Sequence, residues 1–241
     1  MAEGRGRAGR RLLGAFGKAR QALSHVGASL EGLAAAFLMT ASISLIERQP
    51  GVGTAVDTAD RDLSWYADQG NRSTVEFGLS LGVLGMVSLL WFIAVIRRRL
   101  AEREDKFYAT VFLGSGIVFA ILATTAAVCA AAPTLIVRFG GAESLDDSTV
   151  ALAHGLWFGL WGIAASRFAG VFMMVTSALA LRFGALPVWL GRLGQVLGLL
   201  LIITGAFAGP LDFLFSAWLA LVSITLLFSR RAPRPPVRTA E

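Results

Sequence analysis

The sequence predicts an all-α protein: a polytopic transmembrane bundle of six helices with both termini in the cytoplasm. Three observations carry that expectation. Six apolar stretches approach or exceed the roughly 20 residues a helix needs to cross a bilayer core. Charged residues make up only 16% of the chain and its mean hydropathy is +0.65, whereas a soluble domain carries about a quarter charged residues. The Lys and Arg residues are also distributed unevenly around the apolar stretches, as counted below.

The stretches are Leu30 to Ile46, Val75 to Ile96, Tyr108 to Ala132, Leu156 to Leu181, Val188 to Ala208 and Leu211 to Phe228. Ahead of the first, residues 1–28 place Leu12, Phe16, Ala19, Leu23 and Val26 at helical spacing among basic residues. That pattern suits a helix lying on anionic inner-leaflet lipids; the plainer alternative is a basic tail that only sets topology. The first span is too long for a signal-peptide core and no A-x-A-like site follows closely, so it is expected to be retained. Lengthened by Leu152 to Gly155, the fourth stretch has about 30 residues, too many for one upright helix and too few for two. A tilted helix projecting beyond the outer surface is expected there. Pro187 suits the first turn of the fifth helix, where its missing N–H costs nothing. Gly209-Pro210 separates the last two spans, since proline interrupts a continuing helix. Residues 29–229 thus make the membrane domain, and the basic, Pro-rich 230–241 forms a tail without a fold of its own.

Orientation follows from the bases. Seventeen fall on one side, in the N-terminal segment, the Arg97 to Lys106 loop, Arg182, Arg192 and the tail; Arg48, Arg61, Arg72 and Arg138 fall on the other. This split is a positive-inside signal and puts the first group in the cytoplasm. Trp65, Tyr66, Trp157 and Trp161 then mark the outer boundary and Trp91, Tyr108 and Trp189 the inner one.

Several chemistries are set aside. The single Cys129 permits neither a disulfide framework nor a cysteine zinc site. His25 and His154 cannot build a His-rich metal centre, and no Rossmann, Walker or H-E-x-x-H pattern occurs. No cofactor or metal is therefore expected. The pI near 10.6 does not imply nucleic acid, because the bases flank apolar segments. Asp57, Asp60, Asp62 and Asp68 share the first outer loop without calcium-loop spacing. Asp146 and Asp147 precede Ser148 and Thr149 as a helix cap. "LGSGI", Leu113 to Ile117, has a serine between glycines, yet sits in a span with no histidine nearby; close helix packing is the simpler account.

One charge lies deep. Arg167, in "WGIAASRFAGVFMM", is 15 residues from Arg182, about 22 Å along a helix. It requires a partner or a long stem reaching outer headgroups. Glu76 and Asp212 reach similar depth from other spans. Glu76 also fits a Ser73–Glu76 capping box, and Asp212 a first helical turn. The sharper expectation is a small outward polar pocket in which Arg167 pairs with Glu76 or Asp212. On the same span Gly155, Gly159, Gly162, Ser166 and Gly170 recur every three or four residues, a packing stripe for another span, a second protomer or a membrane partner.

The blocks "KFYATVFLGSGIVFAILATTAAV" and "SRFAGVFMMVTSALALRFGALPVWLGRLGQVLGLLLI" resemble a group of uncharacterised actinobacterial integral membrane proteins. The resemblance covers roughly Val75 to Phe228 and is most specific at the Leu186 to Leu190 corner. It implies a cell-membrane location and assigns no activity. The expected function is a non-enzymatic binding or interaction protein built on the pocket around Arg167. A small transporter or channel is the alternative; a lipid-acting enzyme is disfavoured by the want of a nucleophile–base pair.

Overall fold

A computed structural model describes residues 27, 29–52, 63–100, 106–204 and 213–228. The N-terminal segment with His25, the loop residues Asp57, Asp60 and Asp62, the Gly205 to Asp212 turn and the C-terminal tail lie outside the described residues. Every described element is helical: α1 (Ser29–Ile46), α2 (Ser64–Ala67), α3 (Gln69–Leu100), α4 (Lys106–Gly140), a 3-10 turn (Ala142–Ser144), α5 (Asp147–Trp157), a π-helical segment (Phe158–Ala165), α6 (Ser166–Arg182), α7 (Val188–Thr204) and α8 (Leu214–Phe228). Four helices are long and apolar enough to cross a membrane: Ser29–Ile46, Gln69–Arg97, Phe107–Gly140 and the unbroken Asp147–Arg182. Val188–Thr204 and Leu214–Phe228 are apolar but shorter.

Two helices run further than the apolar pattern suggests. α3 starts at Gln69 rather than near Val75 because local donors and acceptors close its first turn. Asp68 Oδ1 accepts the Asn71 N–H at 2.9 Å, and the Arg72 guanidinium donates to the carbonyls of Tyr66 and Ala67 at 2.8 and 2.6 Å. The expected Ser73–Glu76 capping box is therefore absent: Ser73 lies inside the helix and its hydroxyl donates back to Gln69 O. α4 continues through Pro133 to Gly140. Proline removes one backbone donor, and packed membrane-type helices tolerate this where neighbours enclose the bend; Pro133 is buried. Gly141, at φ +87°, ends the helix in a conformation that side chains disfavour.

The Asp146 cap is present as expected. Its carboxylate accepts the Thr149 N–H at 2.9 Å and the Ser148 hydroxyl at 2.8 Å. The bonds from Thr149, ahead of that from Ser148, hold this carboxyl below the usual aspartate range. At the far end, Gly184 (φ +62°) reverses the chain after α6, with Ala185 N–H on Ala180 O and Gly184 N–H on Leu181 O. That double closure is a Schellman turn. Pro187 stands just ahead of α7, and its carbonyl accepts from both Leu190 and Gly191.

Glycines set how closely the helices approach. A side chain on Gly78 or Gly82 would collide with α1, at Leu45 and Ser42 respectively. At the α6–α7 crossing Gly170 and Gly198 each face the other's carbonyl so tightly that neither has room for a Cβ. Gly32 of α1 fits against Ser223 of α8 and Phe92 of α3, so the first and last described helices touch. Gly116 packs on Ile93 and Phe172, while Gly114 meets nothing within 4 Å. Ser115 between them donates to Val111 O at 2.7 Å, a bond within its own helix.

An aromatic column fills the centre. Phe119 lies 6.3 Å from Trp161 and 4.6 Å from Phe215, ring centre to ring centre. Phe215 approaches Phe172 and Trp218 at 6.1 Å each, and Phe172 stacks on Phe112 at 5.1 Å. Such offset pairs add about 0.5–1.5 kcal/mol each beyond the area they bury.

Gly170→Val is expected to cost about 1–3 kcal/mol through overpacking at the α6–α7 crossing, seen as a lower unfolding midpoint in detergent. Gly155→Ala, at a helical position with no neighbour within 4 Å, does not lower the midpoint and is expected to raise it slightly, since alanine favours the helix by about 0.5–1 kcal/mol over glycine. For the cap, a depressed carboxyl contributes stability above the ordinary aspartate pKa and loses it as pH falls through the lower folded value. Amide-exchange protection at Thr149 is therefore retained at pH 5 and lost below the reference pKa of 3.8; Asp146→Ala loses it at both.

Candidate functional site

The site is built around the break in the fourth apolar stretch. Through Phe158–Ala165 the backbone bonds i→i−5, the last such bond being Ser166 N–H to Trp161 O. Where the pattern returns to i→i−4, one carbonyl is stepped over, and in this register it is Gly162 O. The Ser166 hydroxyl donates to that oxygen at 2.7 Å. Its neighbour Arg167 turns its Nη1 back onto Ile163 O. The guanidinium therefore closes the exit of the π segment.

Of the two partners expected for Arg167, one is engaged elsewhere. Glu76 forms its ion pair with Arg138, at the far end of the neighbouring antiparallel helix α4, and Arg167 is not brought to it. Glu76 is engaged by α4, and one Arg167 donor is directed onto its own helix. The other expected partner, Asp212, lies outside the described residues. With Arg138 57% exposed, the Glu76–Arg138 pair is worth less than about 1 kcal/mol.

The packing stripe is also divided. Eight π-helical residues turn the helix face by roughly 100° or more relative to an unbroken α-helix. Gly155 and Gly159, before or within the segment, meet nothing within 4 Å, and Gly170, beyond it, packs on Gly198. Gly162 is buried and Ser166 half-buried.

The end of α5 and the π segment each carry a tryptophan inward. Trp157 and Trp161, one turn apart, line a cleft closed on its other sides by α1, α3 and α4. Trp157 is buried at 7% exposure and Tyr66 at 1%, so these two do not form the boundary belt the sequence suggests. α1 contributes Met39 and Ser42 and, one residue past its end, Glu47; α3 contributes Gly82 and Met86, and α4 Thr124. Gly82 is what lets α1 lie close enough, its missing side chain leaving room for the Ser42 hydroxyl. The cleft has a cavity volume of about 30 Å³. Trp161 is both part of its wall and the end of the aromatic column, which closes the cleft toward the middle of the bundle.

Among the described residues the lining is apolar except for the Ser42 and Thr124 hydroxyls, the two indole N–H groups and the Glu47 carboxylate, and it includes no Lys or Arg. Glu47 Oε1 is shielded from solvent. Beside the cleft, Val52 packs with Ile46 and Trp157, and His154 stands half-buried with its Nε2 3.4 Å from the Tyr66 hydroxyl. Among the described residues no group of three or more His, Cys, Asp and Glu side chains is placed to hold a metal ion. The arrangement can hold a small guest; it contains no nucleophile–base pair. The sequence signals for it were Glu47 directly after the first apolar stretch and the Trp157–Trp161 spacing on one helical face. Both have an ordinary boundary explanation, which is why they did not stand out.

Ser166→Ala and Arg167→Met are each expected to destabilise by about 0.5–1.5 kcal/mol, the worth of one hydrogen bond, in denaturant titrations of detergent-solubilised protein. Because they serve adjacent carbonyls, their double mutant departs from additivity. Arg138→Glu is rescued by Glu76→Arg, whereas Arg167→Glu is not. No family model, curated protein or solved structure matches this chain.

Proposed function

We propose that this is a six-span protein of a bacterial plasma membrane, both termini cytoplasmic, that binds a small ligand in the Glu47–Trp157–Trp161 cleft without transforming it. One observation carries the reading: a concavity whose described lining is apolar but for a few polar side chains, Ser42, Glu47 and Thr124 among them, and whose walls come from four helices and a π segment. Small-molecule sites have this make-up, mostly apolar with a few placed polar groups, and π segments recur at functional positions. The asymmetry of basic residues turns the mouth of the cleft outward. α7 and α8, with 17 and 15 residues, are about 26 and 23 Å long and count as the fifth and sixth spans by locally thinning the bilayer or through flanking residues. The basic N-terminal segment adds contact with anionic inner-leaflet lipids.

A transporter is the second reading, favoured by Ser177, Ser216, Trp218 and Ser223. These residues carry buried polar atoms without a hydrogen-bond partner among the described residues, and water could occupy that seam in another state. Against it stands the aromatic column between cleft and seam.

Thiol labelling separates the two. In a Cys129→Ala background, Ser42→Cys and Thr124→Cys are expected to react with a membrane-impermeant thiol reagent from the outside only, and Ser177→Cys and Ser223→Cys from neither side. Reaction at Ser177→Cys from both sides would establish a conduit. Failure of both cleft positions to react would remove the site.

A further inference from the structure

Resting on the topology proposed above but not on the cleft, we infer that the α6–α7 pair holds one anionic phospholipid of the inner leaflet between Arg182 and Arg192. The two helices are antiparallel and meet along the glycines of α7. A side chain on Gly191 would strike Leu181, one on Gly194 the Ser177 hydroxyl, and one on Gly198 the Gly170 carbonyl. Leu181 and Gly191 thus lie opposite one another. The next residue on each helix, Arg182 or Arg192, is turned by about 100°. Because the chains run in opposite directions, those equal turns carry both arginines to the same side of the pair. Packed helices lie about 8–10 Å apart, a gap that two arginine stems close around one phosphate. Both arginines are exposed. Neither makes an ion pair or hydrogen bond among the described residues, and no acidic residue occurs on either helix.

Two uncompensated guanidiniums select an anion, and their planar donor forks match phosphate oxygens. An arginine on a lipid-facing helix is costly unless its head reaches the interface or meets a counter-charge. Arg192 is the fifth residue of α7, about 6 Å past its start, which is the depth of a headgroup phosphate. The surface beyond the arginines suits an acyl chain. From Arg192, Val196, Leu199 and Ile203 follow after four, three and four residues, a spacing that keeps one face, and all three are exposed. On α6, Val175 and Val171 continue the side marked by Arg182 and are half-buried. Gln195, also half-buried, brings a carboxamide to that side about 4–5 Å deeper than Arg192, where the glycerol esters of a lipid lie. A free inorganic phosphate would use the arginines alone, whereas a phospholipid uses the arginines and the apolar track together. Basic pockets between spans on the cytoplasmic side recognise anionic headgroups in this way.

The test uses the full chain in detergent, with lipid binding read by native mass spectrometry. The first phosphatidylglycerol is expected to bind about tenfold or more tighter than the first phosphatidylcholine, each of the two bases contributing a few-fold. Arg182→Gln with Arg192→Gln removes that preference, and Arg182→Lys with Arg192→Lys, which keeps the charge, retains part of it. Arg48→Gln with Arg97→Gln, an equal loss of charge at exposed positions elsewhere, leaves it unchanged. Phosphatidylglycerol also raises the unfolding midpoint of the parent chain and not that of the Arg182→Gln, Arg192→Gln variant. A preference that survives in this variant, or that falls equally in the Arg48→Gln, Arg97→Gln control, overturns the site. Displacement of the lipid by inorganic phosphate or glycerol 3-phosphate assigns the arginines to a free anion and overturns the lipid. The leaflet is read separately, in intact cells carrying Cys129→Ala and Ala185→Cys, the latter in the exposed turn between the two helices. A membrane-impermeant thiol reagent is expected to label Ala185→Cys only after the cells are opened. Labelling in intact cells would overturn the topology and leave the lipid preference of the arginine pair standing.

Discussion

A backbone carbonyl in an apolar interior has no water to turn to, and this constraint shapes the fourth apolar stretch. The π segment Phe158–Ala165 steps over a carbonyl when it ends. In a soluble helix such an oxygen can be hydrated; between packed apolar helices it needs a protein donor. Ser166 and Arg167 follow immediately and supply two, onto Gly162 O and Ile163 O. Ser166 answers the stepped-over oxygen, and Arg167 adds a second donor to the next carbonyl. Without those donors the wider turns would tend to revert to α-helix, and Trp157 and Trp161 would no longer share the wall of one cleft.

The cleft and the core are joined through Trp161. On one face it lines the cavity with Glu47 and Thr124, and on the other it begins the sequence of rings through Phe119 and Phe215. Glycines make this possible by bringing backbones close at Gly82 and at the Gly170–Gly198 crossing. Large rings in the centre and absent side chains at the crossings are complementary. Without a hydrophobic driving force between helices in lipid, such close packing is what holds a bundle together.

The helical class was legible because chain length and apolarity alone determine it, and the Asp146 cap because capping is a local interaction between side chain and backbone. Helix starts and stops were less so: nothing in the apolar pattern reveals that Asp68 and Arg72 begin α3 early or that α4 carries Pro133 in its interior. The π segment was hidden for a deeper reason. Spacing arguments assume about 100° per residue throughout, so the small-residue stripe from Gly155 to Gly170 read as continuous when it is not. Arg167 was singled out by its place in an apolar stretch, and that place alone does not distinguish a backbone carbonyl from a carboxylate on another helix. Glu47 escaped notice because a charge at the end of an apolar stretch is ordinary; its role depends on which tryptophans the neighbouring helices deliver to it.

The contact between Gly32 and Ser223 bears on how the molecule assembles during synthesis. α1 leaves the ribosome well before α8, yet the surface around Gly32 is completed by α8. In the interval α1 can associate with α3 through the Gly78 and Gly82 approach, leaving one flank open until nearly two hundred later residues have been translated. Ring closure is therefore a late, chain-length-dependent step, and a nascent bundle stalled before α8 would present an unsealed groove to quality-control proteases or to neighbouring helices.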